Sequence, residues 1–173
     1  GNYAFTFGDG ALTVNQAALT VTANNYAKTY NGLAYTDGNG VGYAGFVNGE
    51  TATVLSGTLA YGGTSQGAKN AGSYVITPSG LTSGNYAFTF GDGALTVNQA
   101  ALTITAATNT KSYDRTTSAA AAPTITLGSL VGGDTATLTE VYDSKTAGTG
   151  KTLTPTAVIS DGNSGNNYKV EYV

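Results

Sequence analysis

Leu19-Thr20-Val21-Thr22 alternates apolar and polar side chains, the period of two that turns one face of a strand inward and leaves the other in water. Similar stretches run over Tyr43 to Val47, Thr58 to Tyr61 and Tyr74 to Thr77, separated by Gly and Asn clusters. The sharpest signal is Tyr86-Ala87-Phe88-Thr89-Phe90, followed by Gly91-Asp92-Gly93 and Ala94-Leu95-Thr96-Val97. Alternation places Tyr86, Phe88 and Phe90 on one face, with Leu95 and Val97 opposite. The segment therefore predicts a β-hairpin closed by a Gly-Asp-Gly turn, whose glycines tolerate positive φ. In that reading Phe88 and Phe90 carry much of a thin core, and replacing either by Ala costs about 3–5 kcal/mol. Pro78, Pro123 and Pro155 mark strand ends or edges, because proline brings no N–H to the ladder.

Residues 1–20, GNYAFTFGDGALTVNQAALT, recur unchanged at 84–103, an offset of 83 residues. Lys28-Thr29-Tyr30-Asn31 is echoed by Lys111-Ser112-Tyr113-Asp114, and Phe46-Val47-Asn48-Gly49-Glu50 by Leu130-Val131-Gly132-Gly133-Asp134. Further on, Lys69-Asn70-Ala71-Gly72 is echoed by Lys145-Thr146-Ala147-Gly148, and Ser83-Gly84-Asn85-Tyr86 by Ser164-Gly165-Asn166-Asn167-Tyr168. The chain divides into a tail hairpin of a preceding repeat (1–17), one module (18–99) and a divergent second module (100–173) that lacks its last strand. Six or seven short strands per module predict an all-β fold of two tandem small Ig-like β-sandwich modules, with β-grasp-like modules as the alternative. A unit of this length is a whole domain rather than one turn of a solenoid. Asn98 to Ala101 joins the modules without Gly or Pro. A spacer of about four residues predicts a semi-rigid, elongated particle about 7–9 nm long.

Composition strengthens the all-β reading. The chain holds 25 Gly, 30 Thr and 12 Tyr, and 10% of its residues are charged. Leu, Ile, Val and Phe make only 33 of 173 residues, near the level where disorder competes, but the low net charge of −3 and the many aromatics oppose it. The absence of His and Cys removes any triad, thiolate, zinc or iron–sulfur chemistry built on them. Seven scattered cations make no basic stripe, so nucleic acid is not an expected partner. There is no run of 18 apolar residues to span a membrane, and an export signal is expected outside these residues.

The sequence resembles known repeat families. Lys28-Thr29-Tyr30-Asn31-Gly32-Leu33, Gly45-Phe46-Val47-Asn48-Gly49-Glu50-Thr51, Asn70-Ala71-Gly72-Ser73-Tyr74 and Gly80 to Tyr86 resemble the MBG repeat domain of large secreted bacterial adhesins of the filamentous-haemagglutinin type. Lys111-Ser112-Tyr113-Asp114, Gly133-Asp134, Ala147 to Lys151 and Ser164 to Tyr168 are similar to the sister YDG domain, with Arg115 standing where that signature has Gly. The resemblance covers residues 16–173 and implies an extracellular stalk or adhesive repeat with no catalytic residues, secreted or held at the bacterial cell surface.

Asp161-Gly162-Asn163-Ser164-Gly165-Asn166 begins like a calcium loop, but Tyr172 stands where a bidentate Glu is needed, so it reads as an Asp/Asn/Gly turn. An isopeptide crosslink would need a buried lysine beside Asn or Asp and a carboxylate; Lys28, Lys69 and Lys111 are the candidates. Tyr30, Tyr35, Tyr43, Tyr61 and Tyr74 form an aromatic platform for sugars in one reading and core or rim in the other. Tyr86 and Tyr168 are expected to lock corners by bonding their hydroxyls to nearby backbone. Glu50 and Asp134 are expected to cap turns by accepting backbone N–H bonds. The structural residues are thus Tyr30, Tyr86, Tyr113, Tyr168, Phe88 and Phe90, with no catalytic, cofactor or metal residues and no cofactor.

The functional expectation is a structural and adhesive repeat module, not an enzyme, whose partners are neighbouring repeats of the same protein. The alternative is a module that binds host or matrix carbohydrate, such as mucin, through tyrosines. The second module ends in a counterpart of Tyr86 to Phe90 with no counterpart of Ala94 to Val97 after it, which predicts an exposed groove. Leu12 and Val14 are the candidate strand donors to that groove in a neighbouring chain, giving head-to-tail self-association.

Overall fold

The computed structural model describes all 173 residues. The chain is nearly all β, in two tandem modules. Its strands are β1 (Ala17–Ala23), β2 (Tyr26–Thr29), β3 (Val41–Ala44), β4 (Ser56–Gly62), β5 (Gly72–Thr82), β6 (Tyr86–Gly91), β7 (Gly93–Asn98), β8 (Ala100–Thr105), β9 (Thr124–Leu127), β10 (Thr135–Tyr142), β11 (Leu153–Ser160) and β12 (Tyr168–Tyr172). One 3-10 turn covers Ala52–Val54. The first module holds a three-stranded sheet, β3-β1-β6, and a four-stranded sheet, β2-β7-β5-β4. The second holds β12-β8-β9 and the pair β10-β11. Residues 1–16 form no strand.

The expected hairpin over 86–97 does not form. β6 runs parallel to β1, with Ala17 opposite Tyr86 and Val21 opposite Phe90. β7 leaves for the other sheet, parallel to β2 and antiparallel to β5. The Gly-Asp-Gly stretch is therefore a crossing between sheets, and Gly93 shows why it needs glycine: a Cβ there would lie 2.6 Å from the Ala23 carbonyl oxygen. Alternation correctly gave two strands, but it cannot tell which neighbours they take. The crossing also changes the weight of the aromatics. Phe88 is half-buried, and Phe90 is 37% exposed and stacked flat on Phe88. Neither merits the large truncation cost expected for a fully enclosed ring.

The alternating pattern of β1 buries Leu19 and Val21, which pack with Tyr86. A second, larger core starts at Ile76, Leu95, Val97 and Tyr35 and runs through Tyr30 to Leu102 and Tyr168. It crosses the module boundary, so the expected four-residue spacer shrinks to Gln99 alone, with Ala100 and Ala101 already inside β8. Pro123 directly precedes β9 and Pro155 stands in β11, an edge strand of the two-stranded sheet, whereas Pro78 lies inside β5. Pro78 sits just past the point where β5 exchanges β7 for β4 as its partner. The exposed surface is 10985 Å², against about 7,800 Å² for a compact chain of this mass. Thin sheets and the extended residues 1–16 account for the excess.

Arg115 adopts φ 68°, in the left-handed region that favours glycine. An L side chain there costs roughly 1 kcal/mol. Arg115→Gly is therefore expected to stabilise the chain by about 0.5–1 kcal/mol in urea melts. A loss of stability would show that the arginine side chain makes a compensating contact.

Candidate functional site

A four-residue turn occurs at the same place in both modules. Gly45 follows β3 and Gly128 follows β9, with φ 118° and 77°. A Cβ at either would land 2.3 and 2.2 Å from the carbonyl oxygens of Ala18 and Ala101, which are themselves one repeat apart. Each glycine lets the chain pass close over the first strand of its module and into a four-residue turn. In Val47-Asn48-Gly49-Glu50 both central residues have positive φ, 52° and 75°, and Glu50 N–H donates to Val47 O at 3.0 Å. In Val131-Gly132-Gly133-Asp134 only Gly133 does, at 96°, and Asp134 N–H donates to Val131 O at 2.9 Å.

A tyrosine closes each turn. The Val47 N–H donates to the Tyr86 phenol oxygen at 3.1 Å, and that phenol donates to Glu50 Oε2 at 2.5 Å. The Val131 N–H donates to the Tyr168 oxygen at 2.7 Å, and that phenol donates to Asp134 Oδ2 at 2.5 Å. The corner role of the tyrosines thus reaches backbone 39 and 37 residues away. Glu50 and Asp134 do not act as N–H caps; their carboxylates accept phenols.

The second lock has an additional member. Tyr30 of the first module donates to the same Asp134 Oδ2 at 3.0 Å, and its ring meets Tyr168 edge-on with centroids 5.5 Å apart. Beside it, fully buried Asn167 accepts the Ala71 N–H at 2.7 Å and donates to Asn70 Oδ1 at 3.2 Å. Asn167 is held in turn by Asp161, whose carboxylate accepts the backbone N–H groups of Asn163, Gly165 and Asn167 at 2.8–2.9 Å. Burial alone would raise the Asp161 pKa, but these N–H groups prevail and lower it. The carboxylate is spent on shaping the turn that presents Asn167.

These bonds shift the phenols. Tyr168 is pushed up to about 12, first by burial and then by its bond to Asp134. Burial and the same carboxylate raise Tyr30, the bond to Glu50 raises Tyr86, and burial raises Tyr35. A folded pKa above the unfolded value of 10.0 gives stabilisation that is complete below pH 10. It is lost as pH rises through the folded value. An ultraviolet titration should show Tyr30, Tyr35, Tyr86 and Tyr168 ionising late, with unfolding in the window above pH 10. A single early step for all 12 tyrosines with the circular dichroism intact would contradict the two locks.

The other expected residues fall elsewhere. Tyr113, the counterpart of Tyr30, is 62% exposed and touches no lock. Tyr30 and Tyr35 are buried, and Tyr43, Tyr61 and Tyr74 are half-buried. Lys111 donates to Asp114 Oδ1, Thr116 O and Oγ1 and Ser118 O, all within 2.8–2.9 Å. With the Thr116 N–H it holds the Asp114 carboxyl down to about 2. An ammonium so engaged is not the free amine an isopeptide bond requires. Lys28 donates to Leu33 O, and Lys69 is exposed. Sequence reading missed Asn167 and the reach of Tyr30 into the second module. The only available signal was that both fall in repeated positions.

The MBG domain (YGX type) matches residues 19–96, and the YDG domain matches residues 98–173. No curated protein and no solved structure matches.

Proposed function

The chain belongs to the MBG and YDG domain families, repeat modules of surface adhesin-type proteins, and from that we propose that it works as a semi-rigid segment of an extracellular stalk or fibre. The observation that supports this is the joint of Tyr30, Asp134 and Tyr168, set in a core shared by both modules. A stalk must transmit force and direction from one repeat to the next. A one-residue connection with a continuous core suits that task better than a flexible linker. The tyrosines considered for a sugar platform are engaged in packing, and nothing in their placement favours the glycan reading. No helix is long and apolar enough to cross a membrane.

NMR relaxation tests the proposal. Both modules should tumble as one anisotropic body. Asp134→Ala combined with Tyr30→Ala should give the modules separate correlation times. Independent tumbling in the unaltered chain would reject the stalk reading.

A further inference from the structure

Tyr30-Asn31-Gly32-Leu33 follows β2 and brings the first module against the second. Tyr30 is fixed at two points: its N–H donates to Asn98 O at 2.8 Å, and its phenol to Asp134 Oδ2 at 3.0 Å. Gly32, at φ 71°, lies directly on the second module, since a Cβ there would come within 2.7 Å of Val131 Cγ1. The contact therefore requires glycine. Just beyond it Lys28 Nζ donates to Leu33 O at 2.8 Å and ties the turn back to β2. Asn31 is exposed, and its side chain bonds only within its own turn.

Asparagine before glycine is a reactive pair. The next backbone nitrogen can reach the side-chain carbonyl carbon, and glycine puts no Cβ in its way. Such pairs occur at 31–32, 39–40 and 48–49, and the fold treats them differently. Asn31 Oδ1 accepts the Leu33 N–H at 3.1 Å, a bond that polarises the carbonyl and steadies the oxyanion formed on attack. The Gly32 N–H makes no hydrogen bond, so the attacking nitrogen is free. Asn39 has its carboxamide fixed on another segment, with Nδ2 donating to Asn25 O at 2.9 Å. At Asn48 the corresponding N–H, that of Glu50, is spent on Val47 O. Only the first pair combines an exposed side chain, a free nucleophile and an oxyanion donor.

We propose that Asn31-Gly32 is a self-modifying site whose reaction loosens the joint between the modules as the protein ages. The Gly32 nitrogen gives its proton to solvent base and bonds to Asn31 Cγ. The Cγ–Nδ2 bond breaks, and ammonia leaves with a proton taken from water. Water then opens the five-membered imide at either carbonyl, giving aspartate or isoaspartate, with no change of oxidation state. Both products add one negative charge to a chain whose net charge is −3. Isoaspartate also routes the backbone through Cγ, which inserts one more carbon between Tyr30 and Gly32. Tyr30 is held by Asp134, and Gly32 by a contact with Val131 too tight for a methyl group. A longer backbone cannot satisfy both. The reaction does not depend on the stalk reading, although its effect falls on the same joint.

Peptide mapping by mass spectrometry is the test, on the full chain aged in mildly alkaline buffer with and without urea. In the folded chain Asn31 should convert about tenfold faster than Asn39 or Asn48, the yield of one oxyanion donor at a free nucleophile. In urea the three should convert at similar rates, because each precedes glycine and the fold no longer distinguishes them. NMR spectra of the isoaspartate fraction should show displaced Val131 and Asp134 amide resonances and separate correlation times for the modules. Aged Asn31→Gln, whose longer side chain must close a six-membered ring, should keep both resonances where the fresh chain has them. Even conversion of the three asparagines in the folded chain would overturn the proposal. So would an isoaspartate fraction with Val131 and Asp134 unmoved. The two failures are distinct: separate tumbling before ageing rejects the stalk reading, whereas even conversion rejects only this one.

Discussion

Leu95→Ala should lower the free energy of unfolding by about 2–5 kcal/mol, while Leu12→Ala, the same residue in an identical sequence, should change a dilute chain by less than about 0.5 kcal/mol. Leu95 is fully enclosed in the larger core with Ile76, Val97, Tyr35 and, across the boundary, Leu102. Truncation there removes transfer free energy and leaves a cavity between two sheets that cannot collapse together easily. Leu12 stands in water and has nothing to lose. Phe90→Ala should fall between them at about 1 kcal/mol, because its ring rests on Phe88 at the sheet surface. Chemical denaturation of the three variants decides the matter. A Phe90 loss larger than that of Leu95 would restore the aromatic hairpin and reject the crossing between sheets.

That comparison also shows what a sequence can and cannot reveal here. Alternation over Leu19 to Thr22 and over Ala94 to Val97 identified strands and their inward faces, because side-chain direction follows from the backbone period alone. Pairing did not follow, since Tyr86–Gly91 and Gly93–Asn98 could bond each other or other strands with the same pattern. The choice was made by residues far away: β1 for the first, β2 and β5 for the second. Residues 1–20 sharpen the point, because an identical sequence is strand at 86–98 and not at 3–15. Local propensity is equal in the two, so context decides. The site was half legible. Tyr86, Tyr168, Glu50 and Asp134 stood out through repetition, but as separate turn and corner residues. Their pairing into two locks depends on contacts more than thirty residues apart. The role of Tyr30 depends on a separation of 104, which no spacing rule addresses.

Asp134→Ala is the second large effect, expected at about 2–4 kcal/mol. One carboxylate oxygen accepts two phenols, and bonds to a charged acceptor are about twice as strong as neutral ones. Removing it takes from the hydroxyls of Tyr30 and Tyr168 the one carboxylate that accepts both. Val131 N–H still bonds Tyr168, so the turn keeps one tie and the chain should remain folded. Asp134→Asn is the gentler probe, because it keeps shape and an acceptor oxygen but loses the charge. Paired with Tyr30→Phe in a double-mutant cycle, it should show a coupling of about 1–2 kcal/mol, because both changes act on one bond. Tyr113→Phe in the same cycle should couple by less than about 0.3 kcal/mol in a dilute chain, since Tyr113 reaches no carboxylate there. Asp134→Asn should also bring the late-ionising Tyr168 down from about 12 toward its unfolded value of 10.0. That narrows the alkaline window over which folding stability is lost. If Tyr30 and Asp134 prove additive while Asp134→Ala still costs several kcal/mol, the carboxylate serves its own turn, and the two modules are held together by their apolar core alone.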